Sequence, residues 1–367
     1  MQRRILSIVW LIGLIIPSAP ANAADSLGSL AFAELRFEGE YGSDLYNGKA
    51  TAPATGAIYS IREDGSGLQP LADVGGVTTY PRYSPQGDWL YFQSNASGQS
   101  QVYRCRADGT EVVNLSASRG LGPEWSTAFG CALSANGERL VYSVQGGSPT
   151  PRIVACQADG QSAAWVAPDL GYIYMASPDA TGARIAFSGP AREYRLSISE
   201  RPFAEARLLT PDHPDSYVPQ FTRDGESLLF LRKDGDLYSV DIASTKVRRL
   251  TQGNDYVEFH LSPKDLHGST DGPHLSPDGK RVAYIARRDG VPQVCMMNLD
   301  GTEQRQITHR NSPCGRVRWS PDGRRLAFVS FEPTRPQLFI ISAAGGEPKQ
   351  ITKVEGAVYW MDWRPES

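Results

Sequence analysis

The sequence predicts an all-β fold: a β-propeller of four-stranded antiparallel blades, seven by repeat count with six as the alternative. Three observations carry this. A Ser-Pro-Asp-Gly-like turn recurs at intervals of 43 to 54 residues, each time behind an apolar position. Each turn leads into an alternating apolar strand. The first and last segments of the chain each hold only part of a blade. A period of about 40 residues made of strands alone is the size of one propeller blade.

The pattern is sharpest in Gly272 to Thr308, GPHLSPDGKRVAYIARRDGVPQVCMMNLDGTEQRQIT, and again in Gly315 to Thr352, GRVRWSPDGRRLAFVSFEPTRPQLFIISAAGGEPKQIT. A short apolar strand runs into the turn, where Pro presets φ and Gly accepts the left-handed position. A second strand follows (Arg281-Val-Ala-Tyr-Ile; Leu326-Ala-Phe-Val-Ser), then a connection of variable length. A third (Gln293-Val-Cys-Met-Met; Gln337-Leu-Phe-Ile-Ile) ends in Asp-Gly or Gly-Gly, and a short fourth closes on Gln-Ile-Thr. Tracing the first turn gives Ser84-Pro-Gln-Gly, Ser134-Ala-Asn-Gly, Ser177-Pro-Asp with a small insertion before Gly182, Thr222-Arg-Asp-Gly, Ser276-Pro-Asp-Gly, Ser320-Pro-Asp-Gly and a degenerate Trp363-Arg-Pro-Glu. The preceding positions, Tyr83, Leu133, Ala176, Phe221, Leu275 and Trp319, are all apolar or aromatic, as blade-on-blade packing requires.

The last segment, Ala357 to Trp363, supplies one first strand. Near the other end, Leu30 to Arg36 reads as a second strand, Gly56 to Ile61 as a third and Leu68 to Leu71 as a fourth. Splicing these completes a seventh blade and removes the exposed strand edges that an open array would leave. Residues 24–367 therefore read as a single domain. Two connections are enlarged, Glu38 to Thr55 and Thr251 to Asp271.

Residues 1–23 read as a signal peptide: Arg3 and Arg4, an apolar run from Ile5 to Ile16, Pro17, and Ala21-Asn22-Ala23 as the cleavage pattern. The apolar run is short for a bilayer span, so a periplasmic or secreted product without a membrane span is expected. At 40% hydrophobic and 21% charged residues a packed core is expected, and a net charge of −3 argues against a general nucleic-acid binder. Five cysteines, Cys105, Cys131, Cys156, Cys295 and Cys314, are an odd number. Three of them fall on third strands, where a buried small hydrophobe is the simple reading, and no pairing is assigned.

The repeated SPDG-strand-strand-(D)G-strand-(Q)IT pattern behind a signal peptide resembles the TolB-like propeller repeat of bacterial envelope proteins, over essentially all of Ala24 to Ser367. The resemblance implies a binding or scaffold module whose partner is an envelope protein or a lipoprotein docked at the ring mouth. The founding member of that family carries a small α/β domain ahead of its propeller, and this sequence begins strand residues directly after the expected cleavage site. In prolyl oligopeptidase-like enzymes the same repeat precedes a serine hydrolase domain, for which no sequence follows Ser367 here.

No G-x-S-x-G elbow, H-E-x-x-H or phosphate-cradling G-x-x-x-x-G-K-[ST] occurs, so no catalytic residue is assigned and no cofactor is expected. One constellation supports an enzyme alternative. His260, His267 and His274 stand at equal intervals with Asp265 and Asp271 among them, and imidazoles with carboxylates can hold a divalent metal ion. The alternative is a metal-assisted lyase or hydrolase of acidic carbohydrate.

The position two before the turn reads Arg82, Ala132, Met175, Gln220, His274, Arg318 and Asp362, with Arg316 close by. A channel mouth lined by these residues suits an acidic peptide, a carboxylate or an acidic sugar. The same side chains can equally bond neighbouring blades. Tyr80, Tyr172, Tyr174, Tyr217 and Tyr359 also precede the turns, where tyrosine serves either recognition or packing.

Overall fold

The structure is a computed structural model and describes residues 28–37, 55–117, 127–146, 150–190, 193–201, 205–254, 272–331 and 335–365. Residues 1–23, His260 and His267 lie outside the described residues. Seven four-stranded antiparallel sheets form among them. Blades 1 to 6 follow in chain order, with inner strands Thr78–Tyr83, Thr127–Leu133, Tyr174–Pro178, Ser216–Phe221, His274–Leu275 and Cys314–Trp319. Blade 7 takes its inner strand, Ala357–Trp363, from the end of the chain, and the other three, Ser29–Arg36, Thr55–Arg62 and Gln69–Ala72, from its beginning. Leu30 pairs with Trp363, Ala31 with Asp362 and Leu35 with Ala357 across this seam. The buried Glu34 carboxylate accepts the Gly356 N–H at 2.7 Å, and a Cβ on Gly356 would meet that side chain at 2.5 Å. The expected closure between the two ends is present.

Buried apolar side chains fill the spaces between blades rather than one central core. Ala31, Ala33, Ile58 and Leu71 of blade 7 pack on Tyr83, Leu90 and Phe92 of blade 1. On its other face, Leu30, Phe32 and Ile61 pack on Ala327, Val329 and Leu338 of blade 6. The same arrangement joins blades 1 and 2, 2 and 3, 3 and 4 and 4 and 5.

Two sequence signatures owe their recurrence to side-chain hydrogen bonds onto the backbone. The turn hydroxyl accepts the N–H five residues on, as Arg281 donates to Ser276 Oγ and Arg325 to Ser320 Oγ, both at 2.9 Å. It also donates to the turn carboxylate, Ser320 to Asp322 at 2.5 Å. The Thr of Gln-Ile-Thr clamps the start of the third strand: Thr308 Oγ1 accepts the Val294 N–H at 2.9 Å and donates to Gln293 at 2.7 Å. Thr352 repeats this with Leu338 and Gln337.

The third turn departs from the sequence reading. It starts at Asp179, whose N–H donates to Arg184 O and whose carbonyl accepts the Gly182 N–H. The Asp179 carboxylate takes the place of the hydroxyl, accepting from Thr181, Ala183 and Arg184. Ser177 and Pro178 are the last residues of the inner strand, so Ser177 holds the position two before the turn and Met175 the position four before it.

Candidate functional site: the central channel

The inner strand of every blade presents an edge to the ring axis, and in most of them that strand is bulged. Register shifts fall between Thr79 and Arg82, Phe129 and Ala132, Tyr174 and Ser177, Tyr217 and Gln220, and Gly315 and Arg318. The residue four before the turn is left-handed in each: Tyr80 at φ 60°, Gly130 at 66°, Met175 at 55°, Val218 at 53° and Arg316 at 57°. Such a conformation costs a non-glycine residue about 1–2 kcal/mol, and a bulge re-aims the side chains beside it. The result is two layers of side chains, one at the turn end and one deeper.

In the turn-end layer the side chains join neighbouring blades. The Asp362 carboxylate accepts the Tyr83 N–H at 2.9 Å and lies 3.7 Å from the Arg82 guanidinium. Arg82 and Asp362 are 28% and 20% exposed, so both reach solvent although the ring encloses them. Gln220 Oε1 accepts the Leu275 N–H at 3.3 Å. The Arg318 guanidinium meets both His274 ring nitrogens, Nδ1 at 3.3 Å, and Trp319 Nε1 donates to His274 O at 2.9 Å. Burial, then Arg318, Arg82 and Arg316, hold the His274 imidazole well below its usual 6.5. The ring is therefore neutral and can offer Arg318 an acceptor nitrogen. Burial pushes the Asp362 carboxyl above its usual value, against the opposing pull of Arg82 and Arg318. The influence of Arg82 on His274 passes from blade 1 to blade 5, whereas Asp362 of blade 7 feels its two adjacent blades, 1 and 6.

The deeper layer holds Arg316, 2% exposed, with its guanidinium 5.2 Å from the Trp360 ring. Tyr80 packs on Trp360 at 5.6 Å between centroids and lies 5.5 Å beneath the Arg82 guanidinium, so it connects the layers. Tyr359 is 1% exposed and sits in the inter-blade core, its ring 5.6 Å from Trp360, rather than at a mouth. Tyr217 lies apart, its ring 5.0 Å from that of Tyr194, which in turn is 5.9 Å from that of Tyr172, and it donates to Asp215 at 3.1 Å. Tyr174 contributes its backbone pairing with Ser188. Blades 2 and 3 offer Ala132 and Ser177 to the turn-end layer, so among the described residues its charged groups come from blades 6, 7 and 1.

Sequence reasoning did not single out Trp360 or Tyr194. Trp360 carried a signal, a second bulky aromatic beside Tyr359 in an inner strand, but its place at the bulge depends on pairing with the distant Ser29–Arg36 strand. Among the described residues no three His, Cys, Asp or Glu side chains gather as metal ligands. Nor is any helix there long and apolar enough to cross a membrane, which says nothing of strand-built spans. All five cysteine side chains are buried.

A ring of seven four-stranded sheets, closed by its two ends around a substituted channel, defines a seven-bladed β-propeller. Its last repeats are similar to those of TolB. Residues 260–366 match the profile of the family described as the TolB beta propeller domain. An uncharacterized protein of Agrobacterium fabrum is 30% identical over 214 residues, 57% of this chain and 64% of the relative, so the match spans just under two thirds of that protein. The crystal structure of TolB from Acinetobacter baumannii superposes over 92% of this chain and 67% of its own, with a TM-score of 0.54 at 16% identity. An oligogalacturonate lyase solved in complex with manganese matches 84% of this chain and 90% of its own, with a TM-score of 0.59 at 14% identity. At these identities the structural likeness is one of fold. The chain is a seven-bladed β-propeller, similar to TolB propellers in the sequence of residues 260–366 and in fold beyond them.

Proposed function

We propose that this chain is an exported, non-catalytic binding module of the cell envelope, periplasmic or secreted, whose channel holds a carboxylate. The carboxylate comes from a small acidic ligand or from an acidic segment of an envelope protein or lipoprotein. One observation carries the reading: three inner strands bring Arg82, Arg316 and Arg318 into electrostatic range of a neutral His274, and a fourth adds Asp362, the one carboxylate placed among them by the described residues. Guanidiniums enclosed by protein make strong, directional bonds to carboxylates. The TolB-type repeat supports a binding role, and the sequence of residues 1–23 supports export.

The metal-assisted lyase reading requires His274 as a ligand together with His260 and His267, which lie outside the described residues. A divalent cation at His274 would stand beside Arg318, within reach of Arg82 and Arg316, and the like charges oppose it.

Calorimetric titration of the purified protein with butyrate tests the proposal. Binding that Arg318→Gln and Arg82→Gln each weaken about tenfold is the expected result. Heat from no carboxylate, or stoichiometric manganese or zinc lost on His274→Ala, would overturn it.

A further inference from the structure

We propose that the channel carries a second, deeper carboxylate subsite, formed by Arg316, Tyr359 and Trp360 beneath Tyr80, so that the ligand presents two carboxylates rather than one. This rests on the reading of the turn-end layer as a carboxylate site and extends it.

Among the described residues the deeper layer holds two buried donors without an acceptor: the Trp360 indole N–H, in a side chain only 3% exposed, and the Tyr359 hydroxyl, 1% exposed. A buried polar group without a partner costs about 1–3 kcal/mol, and structures seldom tolerate two side by side without a further group to satisfy them. Arg316 stands over the Trp360 ring, and its charge acts on the Tyr359 hydroxyl. An indole N–H and a phenol without acceptors, on neighbouring rings 5.6 Å apart and with a guanidinium beside them, are matched by an oxyanion, which accepts from such donors.

The spacing sets the ligand's length. Arg316 and Arg318 are two residues apart on one strand, a rise of roughly 6 Å that the bulge shortens. Two carboxylates separated by three or four methylenes span that distance. Tyr80, flanked by Arg82 and Trp360, forms a wall between the layers along which the methylenes can pack. A free dicarboxylic acid and a peptide ending in Glu share this chemistry, the latter through its α- and γ-carboxylates.

The test compares glutarate and adipate with butyrate and pentanoate by calorimetry on the full chain, alongside Gly-Gly-Glu and its C-terminal amide. The dicarboxylates should bind at least about tenfold tighter than the monocarboxylates. Trp360→Phe should erase most of that advantage, whereas Arg318→Gln should weaken both classes. A tenfold preference for Gly-Gly-Glu over its amide would assign the site to a peptide end, and tighter binding of free glutarate than of the peptide would assign it to a small acid. Because Trp360 is a core residue, a second readout uses the unsubstituted protein. The indole N–H resonance of Trp360, identified by its loss in the Phe variant, should move downfield with glutarate and stay with butyrate. Equal affinity for both classes with an unmoved resonance would overturn the deeper subsite and leave the turn-end reading standing. Absence of binding by any carboxylate would overturn both.

Discussion

Asp362 and Tyr83 are 279 positions apart in the chain, yet the carboxylate of one accepts the backbone N–H of the other at 2.9 Å. The bond passes from the last strand of the ring to the first complete blade, and Arg82 stands 3.7 Å from the same carboxylate. One acidic side chain thus serves both the closure of the ring and the charge pattern of its channel.

The first prediction concerns its titration. Burial raises the Asp362 carboxyl above its ordinary 3.8, so the folded state binds that proton more tightly than the unfolded chain does. The resulting stability is fully present below pH 3.8 and is lost as pH rises through the raised value. Asp362→Asn keeps an acceptor for Tyr83 and cannot ionise. Urea midpoints should therefore shift in the variant's favour, relative to the parent, as pH climbs through that window; a constant difference would remove the burial argument.

His274 behaves in the opposite sense. Its imidazole is held well below 6.5 by burial and by three arginines, so the unfolded chain binds the proton more tightly. The stability linked to this group is complete above pH 6.5 and falls as pH drops toward the folded value. His274→Gln should flatten that part of the profile, and the His274 ring should remain neutral by NMR at pH 6. A protonated ring at that pH would contradict the cationic surroundings.

At the seam, Phe32 is fully buried between blades 6 and 7. Phe32→Ala should lower stability by about 3–5 kcal/mol in urea unfolding. A loss below 1 kcal/mol would mean that the terminal strands contribute little to the ring.

The thiols should be inert in the folded protein. Burial pushes Cys105 up to about 12 and both Cys131 and Cys295 to about 11, which leaves little thiolate at pH 8. A thiol reagent should titrate none of them natively and all five after unfolding. Rapid reaction of even one would place a cysteine at the surface.

The blade count and the closure were legible because the turn and the Gln-Ile-Thr clamp each depend on a side chain bonding to nearby backbone, which fixes residue type at a fixed offset. Where a different side chain does the same work, the reading slips. Asp179 replaces the turn hydroxyl of blade 3, and the Ser177-Pro178 pair that imitates a turn start belongs to the strand. The layers of the channel were harder to read. Strand alternation assigns each side chain to a face, and a bulge in the inner strand changes that assignment without leaving a mark in composition. Tyr359 therefore shares one buried cluster with Trp360, whose ring meets Arg316 and Tyr80. That Arg82 and Asp362 meet was legible only as two residues at equivalent positions of blades that closure makes adjacent.

The channel chemistry is gathered around the seam: Tyr80 and Arg82 follow it in the ring, Arg316 and Arg318 precede it, and Trp360 and Asp362 belong to it. A molecule gripped by these residues would act as a clasp on the join between head and tail. Occupancy and resistance to unravelling would then rise together, and a denaturation curve would serve as a binding assay.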